Sequence, residues 1–305
     1  MRKFVLLLTA FALLFACKST PPTQEELAEL AKISIPELMY KSIEGKDRHN
    51  VVLHYQLKAE NPLAVPVTVT IKKWKTIING IEIDPMHAVL HHNRTAFSGY
   101  SAELSRAQTL IMDFELHLNL IPITNAISNS DDNEAVPAAD FDTFETELSF
   151  EIVGQYKAEP PVGGVIATTA EFPRIREPVF TITSIAIMQA ELINTRFAVN
   201  LRMDNPNRFP IKLSSFKYDL YGQGMFWSGG KEQNVFVIPG KDAAETKMIL
   251  VMNFIDMKRG LLDQIIAMRQ VNYRFTGTVE VETGIQWCPQ FSLKFDRSGP
   301  AEVIK

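Results

Sequence analysis

Three histidines, His87, His91 and His92, carry the spacing H-x3-H-H. Imidazole is the commonest ligand for borderline transition metals, so this is the raw material of a zinc site. Pro85 and Asn93-Arg94 flank the segment, which reads as a polar strand-loop-strand region. On a strand His91 and His92 point to opposite faces and cannot share one ion without a bulge, so no metal is expected there. Asp131, Asp132 and Glu134 offer oxygen ligands for calcium, but an acidic run in a loop is ordinarily just solvated. Phosphate chemistry fares no better. Gly222, Gly224, Gly229 and Gly230 lack both the dinucleotide spacing and a following helix, and Pro239-Gly240-Lys241-Asp242 lacks the P-loop run before it. G-x-S-x-G, H-E-x-x-H and C-x-x-C do not occur. No catalytic residue and no cofactor is expected, and the chain reads as a non-enzyme.

Trp74, Tyr218, Phe226 and Trp227 sit at strand positions and read as core, not as a platform for stacked bases. The net charge of −4, from 31 basic and 35 acidic residues, supplies no field that invites nucleic acid. With 46% hydrophobic residues, 15 Gly, 17 Pro and 2 Cys, the 305-residue chain is neither disordered, nor fibrous, nor a disulfide scaffold. Its length suits two domains, each with its own core.

Cysteine chemistry is confined to two positions. Residues 1–16 read as a secretory signal: Arg2 and Lys3 precede an apolar run, Phe4 to Phe15, that is too short to span a bilayer comfortably. Leu14-Phe15-Ala16-Cys17 resembles the lipobox of bacterial lipoproteins, which implies cleavage between Ala16 and Cys17 and acylation of Cys17. Several acyl chains hold a protein on a bilayer where one would let go. Residues 17–32 then form a lipidated tether with a short helix over Glu25 to Lys32. Cys288 is left without a disulfide partner and reads as a buried small residue.

The elements that would have to position any chemistry come in two sets. Asn61-Pro62 and Pro66 recur as Asn205-Pro206 and Pro210 at an offset of 144. Trp74 meets Tyr218 and Gly80 meets Gly224 at the same offset. Alternating apolar residues (Leu53, Tyr55, Leu57 and Phe197, Val199, Leu201) predict a half-buried strand in each set. Asn-Pro ends that strand, because proline lacks the ladder donor and asparagine bonds its own backbone. Ile111–Phe114 matches Val251–Phe254 at an offset of 140, and Phe150–Gly154 falls near Tyr273–Gly277 at 123, which predicts a 17-residue insertion at Ser128 to Thr143 of the first set. A helix is predicted over Asp256 to Arg269. The expected architecture is mostly β: two tandem fibronectin- or immunoglobulin-like antiparallel sandwiches over 33–158 and 173–300, each with a short helix, joined by a linker at 159–172.

Val199 to Gly224 resembles the core motif of the late embryogenesis abundant type-2 family, also called the water-stress and hypersensitive-response (WHy) domain. Asn205, Pro206, Asn207, Phe209 and Pro210 carry the resemblance. The first set departs from it at Leu63 and Val65. The resemblance implies a fibronectin-like sandwich with one helix, a desiccation-related and membrane-associated group, and no catalytic residues to carry over.

The functional expectation is a membrane-anchored, non-catalytic lipoprotein that binds envelope partners or protects the envelope. Its partners are the lipid bilayer, through acylated Cys17, and an envelope protein or lipid. Lys18 after the acylated cysteine lacks the inner-membrane retention signal, so the periplasmic face of the outer membrane is favoured. The alternative is a carrier of lipid or another apolar ligand in a groove between helix and sheet.

Overall fold

The computed structural model describes residues 37–61, 63, 65–128, 141–157, 161–190, 194–253 and 270–304, with Thr23 and Ala267 besides. Ala16, Cys17, Pro62, the tether helix, most of the 128–143 loop and, apart from Ala267, the helix over 256–269 lie outside the described residues. The chain divides into two compact units: Met1–Glu44 with His49–Phe172, and Gly45–Arg48 with Pro173–Lys305.

The first unit contains β1 (Glu37–Gly45), β2 (Asn50–Glu60), β3 (Val67–Ile78), β4 (Ile81–Glu82), β5 (Ala88–His92), β6 (Thr95–Ala96), β7 (Tyr100–Leu104), β8 (Thr109–Asn119), α1 (Leu120–Ser128), β9 (Thr143–Gln155) and β10 (Val162–Pro173). One sheet runs β1-β2-β8-β5-β6; the other runs β10-β9-β3-β4, with β7 also on β3. The strands form because their apolar residues alternate. Along β2, Val51, Leu53, Tyr55, Leu57 and Ala59 all lie at 1% exposure or less, while His54, Gln56 and Lys58 face outward. Between the sheets, the Phe114 and Phe150 rings meet at 5.0 Å.

Residues 162–173 correct the expected linker. Gly163, Gly164 and the two prolines before them read as punctuation, yet Ile166, Ala170 and Phe172 are buried at even spacing, and the segment pairs with β9 as a strand of the first unit. Even-spaced burial, not glycine content, decides the element.

The second unit contains β11 (Val179–Ala190), β12 (Asn194–Asp204), β13 (Ile211–Gly222), β14 (Met225–Glu232), β15 (Phe236–Ile238), β16 (Ala243–Asn253), β17 (Gln270–Ile285) and β18 (Cys288–Ile304). They form one sheet in the order β14-β13-β17-β18-β11-β12-β16, with β15 on β13. Phe180 of β11 touches Phe216 of β13 at 5.4 Å, although two strands separate them in the sheet. The sheet therefore folds over on itself, and β14 and β15 come up against β16. The enclosed layer is aromatic: Phe180, Phe216, Phe275 and Phe295 pack at centroid distances between 4.8 and 5.9 Å. Both units are β-sandwich in type, as the alternation predicts.

Strand pairing revises two of the sequence matches. In β2 against β8, Asn50 faces Asn119; in β12 against β16, Asn194 faces Asn253, so corresponding partners are 134 residues apart and not 140. In β3 against β9, Val69 faces Gly154; in β13 against β17, Leu213 faces Val281, an offset of 127 and not 123. The first unit is thus longer by seven residues in this interval, not 17. Both errors are even-numbered slips. A slip of two preserves every inward and outward assignment, so alternation alone cannot detect it.

Candidate functional site

The motif residues sit where β2 and β12 end. Asn61 follows β2 and is 2% exposed. Its backbone N–H donates to Gln108 O at 3.1 Å, and Ala107 N–H donates to Asn61 O at 3.0 Å. Its side-chain amide donates to the carbonyls of Val65 and Leu104, both at 2.8 Å, and of Ser105 at 3.2 Å, while Oδ1 accepts from Leu63 N–H at 3.0 Å. One side chain thus ties the turn to the segment before β8.

Asn205 repeats the arrangement after β12. Its N–H donates to Asp242 O at 2.8 Å, and its amide donates to Phe209 O at 2.8 Å, Pro239 O at 2.9 Å and Ile238 O at 3.2 Å. Oδ1 accepts from the backbone and side-chain nitrogens of Asn207 at 3.0 and 2.9 Å. Asn207 goes further: its Oδ1 accepts from Arg176 N–H at 2.7 Å and its amide donates to Arg176 O at 3.0 Å, a second tie to the chain before β11. Leu63 stands at this place in the first unit and has no amide with which to form that tie. Pro66 and Pro210 immediately precede β3 and β13, where a missing N–H costs no ladder bond. Phe209 packs on the core of the second unit. Pro206 lies in the turn between Asn205 and Asn207.

The segment Pro239-Gly240-Lys241 is the partner of this clamp, not a phosphate loop. A Cβ on Gly240 would stand 2.3 Å from Arg208 O, so only glycine lets the two backbones cross. Lys241 N–H donates to Asn207 O at 2.7 Å.

The sequence-adjacent histidines separate, as the strand argument requires. His92 Nδ1 lies 3.1 Å from Asp113 O and its ring packs near Phe114. His91 stacks instead on His117 of the neighbouring strand, at 4.4 Å. His117 Nε2 bonds Glu115 Oε2 at 3.0 Å. Register places His54 and His91 directly opposite Glu115, one on each side. The Glu115 carboxyl is held below its usual range, chiefly by the hydrogen bond from His117, then by the charges of His117, His54 and His91. Sequence spacing gives no sign of this grouping, because its members come from three strands.

Other features identify themselves as packing. Cys288 is a buried free thiol whose pKa burial pushes up. Burial raises Tyr55 to about 12. Trp227 is 4% exposed and stacks near Phe197, but Phe226, read as core, is 51% exposed and lies against Tyr221. A cavity of about 550 Å³ in the first unit is lined by Tyr40, Thr146, Glu145, Glu147 and Glu171 among others.

Residues 200–294 match the late embryogenesis abundant protein family, LEA_2. The matched span runs from Asn200 in β12 to Lys294 in β18 and includes the Asn205–Asn207 clamp. No curated protein matches the chain. A protein from Archaeoglobus fulgidus is 17% identical, with 40% of this chain and 97% of that one covered and a TM-score of 0.26. Red sea bream transglutaminase is 10% identical over 94% of this chain and 34% of its own, at a TM-score of 0.24. A Bacteroides uniformis beta-glucuronidase is 8% identical over 83% and 27%, at 0.25. The chain thus spans about a third or less of these two enzymes, and no activity carries over from likenesses so slight.

Proposed function

We propose that this protein is a non-catalytic, lipid-anchored lipoprotein of the late embryogenesis abundant type-2 (WHy) group, built from two tandem copies of one sandwich and acting through their surfaces. The observation that carries the reading is how the motif asparagines are used. Every polar atom of the Asn205 side chain is bonded to its own unit, so the family motif shapes a turn and offers nothing to a substrate. The same bonds at Asn61, with matching pairing of β2–β8 and β12–β16, support the reading of the two units as copies. The anchor rests on the Ala16-Cys17 motif, and Lys18 favours the outer membrane. Envelope proteins or lipids are the partners, and protection of the envelope in water stress is the physiological role.

A lipid carrier would need an apolar hollow. The groove expected for one lies against the helix over 256–269, which apart from Ala267 is outside the described residues, and the carboxylates of Glu145, Glu147 and Glu171 around the cavity of the first unit do not suit an acyl chain. Among the described residues, no helix is long and apolar enough to cross a membrane, and attachment through Cys17 is read from the lipobox resemblance alone. Metabolic labelling with palmitate tests it: the native chain takes up label and Cys17→Ala does not. Label persisting in Cys17→Ala, or absent from the native chain, overturns the anchor.

A further inference from the structure

We propose that the outer face of the β1-β2-β8-β5-β6 sheet binds one borderline transition-metal ion, Zn²⁺ or Ni²⁺, through Glu115, His117 and His91, with His54 as a fourth ligand. The inference stands on four side chains that register brings together. Glu115 and His117 are two apart on β8 and share its outer face. His91 faces Glu115 from β5 and His54 faces it from β2. Two imidazoles and a carboxylate on adjacent strands, joined by a third imidazole, are the donor types that zinc takes.

One pair of ligand atoms already has the right spacing. Ligand atoms held about 2.0–2.1 Å from a tetrahedral ion stand roughly 3.3 Å from each other. His117 Nε2 and Glu115 Oε2 are already 3.0 Å apart. His54 Nε2 has no hydrogen-bond partner among the described residues, and Glu44 Oε1 is 3.6 Å from it. The His117 and Glu115 side chains are 28% and 38% exposed, so solvent and ions reach them, while His54 Nε2 is itself buried.

The site closes on binding and is not preformed. Among the described residues no three such groups already stand in position to hold an ion. The His91 and His117 rings lie stacked at 4.4 Å with 30° between their planes, so one must turn about its side-chain torsions to aim a nitrogen at the point His117 and Glu115 share. Nor does the fold require these residues. At the equivalent register positions of the second unit stand Ala198, Ile249 and Val251, in place of His54, Glu115 and His117. The same position in the same kind of sheet tolerates apolar side chains.

The test is calorimetric titration of the tag-free full chain with ZnCl2, repeated with Co²⁺ while visible absorption is followed. One ion binds per chain, and tetrahedral Co²⁺ bands develop. His117→Gln and His91→Gln each weaken binding more than about tenfold, and His87→Gln, outside the cluster, leaves it unchanged. Imidazole ¹⁵N shifts of His91 and His117 on adding Zn²⁺ to the native chain give the same answer with no variant. Absence of saturable binding, retention of affinity in both cluster variants, equal loss in His87→Gln, or unmoved ¹⁵N resonances would overturn the proposal. None of these results bears on the lipid anchor.

Discussion

Replacing Asn205 by alanine tests whether the clamp is a structural device. The substitution withdraws the donor shared by the carbonyls of Phe209, Ile238 and Pro239 and the acceptor for Asn207 N–H, at a site 2% exposed. A buried group left without its partner costs about 1–3 kcal/mol, and a carbonyl with a spare lone pair sits at the low end. Three carbonyls and one N–H then give about 3–5 kcal/mol, a large share of the roughly 5–15 kcal/mol that holds a domain folded. In melting temperature this is on the order of 10 °C or more for a unit of this size. Urea and thermal unfolding should be followed by circular dichroism together with tryptophan emission, because Trp227 and Trp287 report the second unit and Trp74 the first. Asn205→Asp keeps the shape but exchanges the donors for a carboxylate facing three carbonyls, so it destabilises at least as much as alanine. Asn61→Ala moves the first unit's transition instead. An Asn205→Ala variant that loses less than about 1 kcal/mol, or an Asn205→Asp variant as stable as the native chain, would refute the clamp.

Three further outcomes follow from particular contacts. Gly222→Ala places a Cβ 1.9 Å from the Trp227 ring, so it lowers the stability of the second unit by about 1–3 kcal/mol and shifts tryptophan emission, both read in the same unfolding series. Glu115 has a folded-state pKa below its ordinary value of 4.5, so its contribution is full above that pH and fades as pH falls through the lowered value. Stability curves of the native chain and Glu115→Gln should therefore converge in acid and diverge above pH 4.5; curves parallel throughout would contradict the pairing with His117. Cys288, buried and with a raised pKa, reacts slowly with a thiol reagent in the native chain and at the rate of a free thiol in denaturant; rapid native reaction would show the site to be open.

Much of the fold could be read from residue order. The alternation Leu53, Tyr55, Leu57 specifies a strand with one buried face whatever it pairs with, because side chains on a strand project to alternate sides. Asn-Pro at 61 and 205 specifies where the strand stops, because proline has no donor to give and asparagine can satisfy the turn. The absent nucleophile and phosphate motifs are likewise a matter of residue order. The segment 162–173 was harder: its glycines and adjoining prolines carry the signature of a connector, and only pairing with β9 makes its even-spaced apolar residues the inner face of a strand.

What the sequence by itself determined was the strands on either side of each Asn-Pro motif, their inner faces and the turn between them, all local consequences of side-chain direction and backbone donors. Tertiary structure alone decided register and neighbourhood. Offsets of 140 and 123 became 134 and 127, since period-two patterns are blind to even slips. His91 left its sequence neighbour His92 for His117 and Glu115, and Asn207 reached back to Arg176, because which strands lie side by side depends on how the sheets close around their cores.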